Sequence, residues 1–255
     1  VAVKIAVAGG TGMVGRYVVE SATAAGHEVV VISRSSGIDL RNGVGLAESL
    51  KGVDVIVDTS NPDSTNRARA SAFFADVTRT LHAAGSEAGV QRLVALSIVG
   101  IDHFPYGYYQ AKVAQEEAVF AGPLSARVVR ATQFHEFAGQ ILARTKRGPF
   151  AAMPVMHIQP IAARTVGEEL LQAALSPSSK EIVEIAGPQE ERLVAMAHSV
   201  LRQRGLHCFV IPFRLPGSAG KLMRSGGQLP SSEARLLGPT FAEWLRSHDA
   251  QFPAF

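Results

Sequence analysis

The apolar run Lys4-Ile5-Ala6-Val7-Ala8 leads without a break into Gly9-Gly10-Thr11-Gly12-Met13-Val14-Gly15, and then into Arg16-Tyr17-Val18-Val19 with a helical pattern. A buried strand that turns into a helix through glycines is the opening of a βαβ unit. A Cβ on Gly10 or Gly12 would push the chain away from a pyrophosphate, and Gly15 lets the helix lie against the strand. Amides at the helix start then meet the phosphate charge. The helical pattern stops at Gly26 and a second strand, Glu28-Val29-Val30-Val31-Ile32, follows. This context marks a dinucleotide cradle, with Gly9, Gly10, Thr11, Gly12, Met13, Val14 and Gly15 as its expected contacts.

The end of the second strand speaks to which dinucleotide. NAD-selective sites place a carboxylate about 20 residues after the glycines, where it accepts from the adenosine ribose hydroxyls. This chain has Ile32-Ser33-Arg34-Ser35-Ser36 there, with no acid. The planar guanidinium of Arg34 can grip a 2′-phosphate through two donors, and the hydroxyls of Ser33, Ser35 and Ser36 can add to it. NADP(H) is therefore expected over NAD(H); the competing interpretation is that Arg34 is a solvated loop charge. Asp39 and Leu40 are expected to border the adenine. Thr59 and Ser60, in a polar loop after a third strand at 53–58, join the cofactor contacts.

Apolar strands and helical patterns keep alternating: a short helix at 46–50, a helix within 64–85, a strand at 91–97, a helix from about Gly107 to Phe120 and a strand at 126–130. Such alternation predicts a doubly wound parallel sheet of Rossmann type, an α/β fold. Beyond residue 131 it loosens. Residues 148–160 look like a loop rich in Met and Pro; a helix at 164–175, a strand at 182–186, a helix to about Gly205 and a strand at 207–213 follow. The expected division is 1–130 as the NADP(H)-binding domain and 131–255 as a mixed segment that completes the sheet and forms a small substrate-binding cleft or lid. A chain of 255 residues is long enough for both.

Tyr108 and Lys112 are four residues apart and share a helix face. A phenol has an unperturbed pKa of about 10, and a nearby ammonium lowers it, so the tyrosine can exchange a proton with a substrate oxygen during hydride transfer. Lys112 can also hold the nicotinamide ribose. Tyr109 points about 100° away from Tyr108 on the helix.

These residues resemble the short-chain dehydrogenase/reductase superfamily: the glycine motif, an Arg after the second strand, Ser97 ending a strand, and Tyr108-x-x-x-Lys112. The spacing Gly9-x-x-Gly12-x-x-Gly15 and the segment from Val129 to Phe137 look more like its atypical, NmrA-like branch. That resemblance implies a catalytic set of Tyr108, Lys112 and Ser97, with Ser97 also a cofactor contact. The chain departs from it at Ile98, where active members carry a second hydroxyl that supports the substrate carbonyl; a donor lost there weakens proton transfer.

His135, just past a strand end, and His157, in the Met-rich loop, are further candidates to donate to a substrate oxygen. With Phe134 and Met156 they form the expected substrate contacts, suited to a flat apolar molecule, although core packing explains the apolar members equally well. No His, Cys, Asp and Glu spacing resembles a metal site.

The expected function is an NADPH-dependent oxidoreductase that reduces a small apolar carbonyl or quinone. The alternatives are a non-catalytic NADP(H)-binding redox sensor and, behind it, a nucleotide-sugar epimerase or dehydratase. One cysteine, Cys208, implies a reducing compartment; with no signal-like segment and no apolar run of membrane-spanning length, a cytoplasmic location is expected. The net charge of +3 comes without any Lys-Arg run, so nucleic acid and membrane are not expected partners. Besides a small-molecule substrate, a second copy of the chain or a regulatory protein partner is allowed.

Overall fold

The computed structural model describes residues 2–104, 107–177, 181–250 and 252. The chain divides into two compact units: Val1–Arg130 with Val166–Val183, and Ala131–Thr165 with Glu184–Phe255.

In chain order the strands are β1 (Lys4–Ala8), β2 (Glu28–Ile32), β3 (Val55–Asp58), β4 (Arg92–Ile98), β5 (Ser125–Ala131), β6 (Phe150–Pro154), β7 (His157–Ile158), β8 (Glu181–Ala186), β9 (Glu191–Arg192), β10 (Phe209–Phe213) and β11 (Arg235–Leu236). The helices are α1 (Gly15–Ala24), α2 (Leu46–Ser49), α3 (Arg67–Ala88), α4 (Gly107–Ala121), α5 (Phe137–Thr145), α6 (Ala163–Leu175), α7 (Leu193–Gln203), α8 (Gly217–Arg224) and α9 (Phe241–Leu245). Seven strands form one sheet in the order β11-β8-β5-β4-β3-β1-β2, with parallel pairing of β1 to β2 and β3, of β3 to β4 and of β8 to β11. This is the doubly wound Rossmann-type sheet expected from the alternation.

The first unit is held by a strand layer with no exposed face. Ile5 to Ala8 of β1 and Ile56 and Val57 of β3 are fully buried, as central parallel strands covered on both faces must be. Val77 and Leu81 of α3 and Val119 of α4 pack with Ala6, Ile56 and Leu93 in one cluster. α6 crosses α1 at Gly167, where a Cβ would come within 2.6 Å of the Tyr17 Cβ. α3 starts at Asn66, whose side chain accepts from the Arg69 amide at 3.3 Å, and ends at Gly89 in the left-handed conformation.

The second unit has its own core, in which Leu142, Met153, Met156, Met196, Phe241 and Trp244 meet. Residues 148–160 are not the loop expected: β6 pairs in parallel with β10, and β7 pairs antiparallel with β9. α5 and α8 were likewise not foreseen. Trp244 packs against Phe241 and Phe252.

Candidate dinucleotide and active site

The glycine turn sits at the carboxyl end of β1. Gly9 has φ +74°, a conformation L side chains rarely adopt, and its amide donates to Ile32 O at 2.9 Å, which ties the turn to the end of β2. A Cβ on Gly15 would lie 2.2 Å from Gly9 O and 2.7 Å from Thr59 Oγ1, so only glycine lets α1 start this close to the turn. Gly10 carries a further, internal constraint. Its missing Cβ would meet Val31 Cγ1 and Val7 O at 3.0 Å, on the protein side, so the constraint there is internal packing. Thr11 and Gly12 are exposed and Met13 is half-buried, whereas Val14 is buried and offers its backbone alone.

α1 begins without a side-chain cap and without an acid in its first turn. The amides of Arg16, Tyr17 and Val18 are taken by Gly12 O and Val14 O, so an anion there would meet the positive end of the helix and the backbone of the turn ahead of it. The turn and the helix start therefore fit a dinucleotide pyrophosphate.

At the end of β2, residues 34–36 form one 3₁₀ turn closed by a reciprocal cap: Ser33 Oγ accepts from the Ser36 amide, and Ser36 Oγ accepts from the Ser33 amide at 3.0 Å. Ser36 Oγ donates its proton to Ser33 O at 2.7 Å, and the Ser33 and Ser35 hydroxyls are 2.8 Å apart. These serines brace the turn, and the Ser36 proton expected for a phosphate is already used. Arg34 projects from the turn with its side chain 80% exposed, 3.4 Å from Asp63. Of the expected adenine neighbours, Asp39 is exposed and takes the Arg41 amide at 2.9 Å. Leu40 is corrected: it is buried in the core cluster with Leu46 and Leu81, where apolar contact outweighs any exposed position.

Thr59 and Ser60 lie directly against the glycine turn. Thr59 Oγ1 donates to Ala8 O at 2.9 Å, and the Ser60 backbone would be 3.0 Å from a Cβ on Gly9. The Ser97 hydroxyl on β4 is buried without a partner.

Beneath this surface lies a buried polar chain. Lys112 Nζ donates to Leu96 O and to Gln115 Oε1, each at 2.7 Å, and sits 4.6 Å from the centre of the Phe74 ring. Gln115 Nε2 donates to Asp58 Oδ2 at 3.1 Å, and Asp58 Oδ1 accepts from the Ser60 amide at 2.9 Å. Burial pushes Asp58 above the usual carboxylate range and pulls Lys112 down to about 8, while the Asp58 and Glu116 carboxylates oppose that fall. Next to it, Arg130 bridges Glu116 at 2.7 Å and Asp102 at 2.6 Å, which raises its pKa further.

Tyr108 stands apart from this chain. Its hydroxyl donates to Asn61 Oδ1, and its ring packs on Phe74. Burial, then the neighbouring Tyr109, push its pKa up. The expected lowering by Lys112 is therefore corrected: the ammonium is turned to Leu96 O and Gln115, and desolvation of the phenol decides the sign. Tyr109 lies on Phe104 with ring centres 4.7 Å apart.

The expected substrate residues separate. His135 is fully buried between Phe241 and Trp244, and its Nε2 donates to Pro239 O at 3.1 Å. Burial lowers its pKa to about 4, so the ring is neutral and its one N–H is engaged. The donor role expected of His135 is corrected on that ground. Met156 is buried in the core of the second unit, also a correction. His157 is half-buried with Nε2 2.7 Å from Glu190 Oε2, and Phe134 is half-buried beside Ile161. Among the described residues no group of three His, Cys, Asp or Glu side chains could hold a metal ion.

Sequence reasoning missed Asn61, Asp58 and Gln115. Gln115 follows Lys112 by three residues, so it shares that helix face, and this spacing was the available signal.

The fold and the cradle define the class first: a doubly wound α/β fold of Rossmann type. Residues 5–125 match the model of the NAD dependent epimerase/dehydratase family. A short-chain dehydrogenase/reductase superfamily protein from Agrobacterium tumefaciens, solved with bound NAD, superposes with a TM-score of 0.71 at 18% identity, over 97% of this chain and 96% of that one. UDP-N-acetylglucosamine 4-epimerase from Bacillus cereus gives 0.68 at 18% identity, over 95% and 93%. An NADPH-dependent quinone oxidoreductase from Escherichia coli, complexed with NADPH, gives 0.66 at 18% identity, over 94% and 97%. No curated protein sequence is significantly similar to the chain.

Proposed function

We propose that the protein is an NADPH-dependent oxidoreductase that reduces a small apolar carbonyl or quinone. The observation that carries this reading is the Tyr108 hydroxyl, held protonated by burial and aimed by the Asn61 side chain. When bound, the dinucleotide supplies hydride. Tyr108 then gives its proton to the oxygen of a reduced carbonyl; an alkoxide is the stronger base, so that transfer is downhill even from a phenol of raised pKa, whereas a quinone leaves a less basic phenolate that needs the proton less. The Asn61 amide, beside that hydroxyl, offers a polar contact where Ile98 offers none. Arg34, exposed at the end of β2 with no acid in that turn, supports NADPH over NADH. The resemblance to a quinone oxidoreductase solved with NADPH agrees with both parts.

A second reading, an NADP(H)-binding redox sensor, is favoured by one observation: Lys112 is committed to Leu96 O and Gln115 and does not touch Tyr108. NADPH oxidation across a panel of quinones and carbonyl compounds separates the two. The enzyme reading expects turnover that falls about 10²- to 10⁴-fold in Tyr108→Phe with NADPH affinity unchanged. Equal turnover in that variant removes Tyr108 from the mechanism. NADPH binding without turnover of any acceptor transfers the case to the sensor.

A further inference from the structure

The two-stranded sheet of β6 and β10 is apolar on both faces. Its register pairs Phe209 with Phe150, Ile211 with Ala152 and Phe213 with Pro154, and paired residues of a parallel ladder project to the same side. The residues between them, Ala151, Met153 and Val210, pack into the core of the second unit. The other side carries Phe209 at 70% exposure, Ile211 at 52%, Phe150 at 50% and Phe213 at 38%. The rings of Phe150 and Phe209 lie 5.8 Å apart. A strand pair with one solvated face alternates apolar with polar residues, and this one does not.

The chain around this face is one-sided in charge. Residues 137–167 and 192–232, which contain both strands, hold ten Arg and Lys and no Asp or Glu, with Arg164 among them paired to Asp249 at 2.8 Å. Because the strands are parallel, their starts lie at one end, and Arg144, Lys146 and Arg147 stand just before β6 there. Arg147 is fixed there, since its amide donates to Phe150 O at 2.8 Å and Phe209 N donates to Pro149 O at 2.7 Å. Arg214 follows β10 at the other end.

We propose that this face docks the protein peripherally on an anionic lipid surface, with the Phe and Ile side chains in the headgroup boundary and the basic residues on lipid phosphates. The exposed fractions amount to roughly 400 Å² of apolar surface, at about 200 Å² per aromatic side chain. A stable dimer takes roughly 800 Å² from each partner, and a second copy would bring the same positive charge. A nucleic acid would need its bases stacked on a face that has Ile211 at its centre and no polar group to meet their edges. A lipid boundary accepts both the apolar patch and its basic rim, because long basic side chains reach phosphates from beside it. No helix among the described residues is long and apolar enough to cross a membrane, and a peripheral face needs none. Membrane was not an expected partner from sequence because the face is assembled from two strands 59 positions apart.

The test is co-sedimentation of the full chain with vesicles of phosphatidylglycerol and phosphatidylcholine at 1:3, against phosphatidylcholine alone. Binding to the anionic vesicles only, weakened by salt and lowered at least about tenfold in the double variant Phe209→Ser/Ile211→Ser, is the expected result. That variant changes exposed side chains, so its melting temperature and NADPH affinity should match those of the parent. A charge variant, Lys146→Glu/Arg147→Glu, should lose binding while keeping the apolar face. Equal binding by the parent and both variants, or none to anionic vesicles, overturns the proposal. So does a concentration-dependent dimer, or retention of a single-stranded oligonucleotide, that disappears in Phe209→Ser/Ile211→Ser without any lipid binding by the parent.

Discussion

His135 should make the second unit acid-labile. Its imidazole is fully buried, its Nε2 proton is held by Pro239 O, and Nδ1 is buried without a partner, so protonation has nowhere to place its charge. Its pKa is about 4 in the folded chain against 6.5 when exposed. The unfolded chain therefore binds a proton as the pH falls through 6.5, while the folded one does not until about 4, and stability is lost across that window. The full difference of 2.5 units corresponds to about 3 kcal/mol, of which about 2 kcal/mol is lost between about pH 7.5 and pH 5. Trp244 is the only tryptophan of the chain, and its ring centre is 5.2 Å from that of His135, so its emission reports on this unit directly. Urea unfolding followed by that emission at both pH values, for the parent and for His135→Phe, isolates the effect, because every other titrating group is common to the two proteins. The parent should lose about 2 kcal/mol more than the variant on going to pH 5. Equal losses, or quenching of Trp244 that titrates near 6.5, would show that the imidazole is solvated and the burial argument wrong.

Gly15→Ala should abolish NADPH binding or unfold the first unit, since its Cβ would lie 2.2 Å from Gly9 O and 2.8 Å from Gly10 Cα; fluorescence titration with NADPH checks it, and unaltered affinity would mean that the turn is loose. Arg34→Ala should lower the preference for NADPH over NADH by about 1.5–3 kcal/mol, read from the two dissociation constants; an unchanged ratio makes Arg34 a solvated charge. Arg130→Met should destabilise the fold by about 3–5 kcal/mol, because it leaves the buried Glu116 carboxylate without its partner; a midpoint shift worth under about 1 kcal/mol would show that water already reaches Glu116.

The first unit was legible because its elements are long and their period is unambiguous. β1, β3 and β4 are continuous apolar runs of central strands, and the glycine turn fixes where strand becomes helix. Even there, the reasons for a residue were less legible than its place: Gly10 is also crowded from within, by Val31 and Val7 O. In the second unit β6 reads Phe150-Ala151-Ala152-Met153-Pro154, with no polar residue to mark an outward side and a proline at its end. A strand apolar on both sides has no period of two to detect, and the strand it pairs with, β10, lies far along the chain.

The candidate site shows the same limit at the level of single groups. The spacing of Tyr108 and Lys112 placed them on one helix, and the expectation of a lowered phenol followed if nothing else competed for the ammonium. Two groups from elsewhere in the sequence do compete: Leu96 O, at the end of β4, and Asp58, at the end of β3 and reached through Gln115. The ammonium takes them because both are buried and would otherwise lack compensation in a low-dielectric interior, where an unpaired group costs more than a contact with a neutral phenol returns. Tyr108 is then left with the Asn61 amide from the β3 loop and is pushed towards its protonated form. A tyrosine in that state suits donation to a developing alkoxide and is poorly placed to act as a base. The same burial that removes the lysine from the tyrosine therefore leaves Tyr108 a proton donor, while the ratios of the two dinucleotide forms and of the two substrate forms set which way the hydride goes.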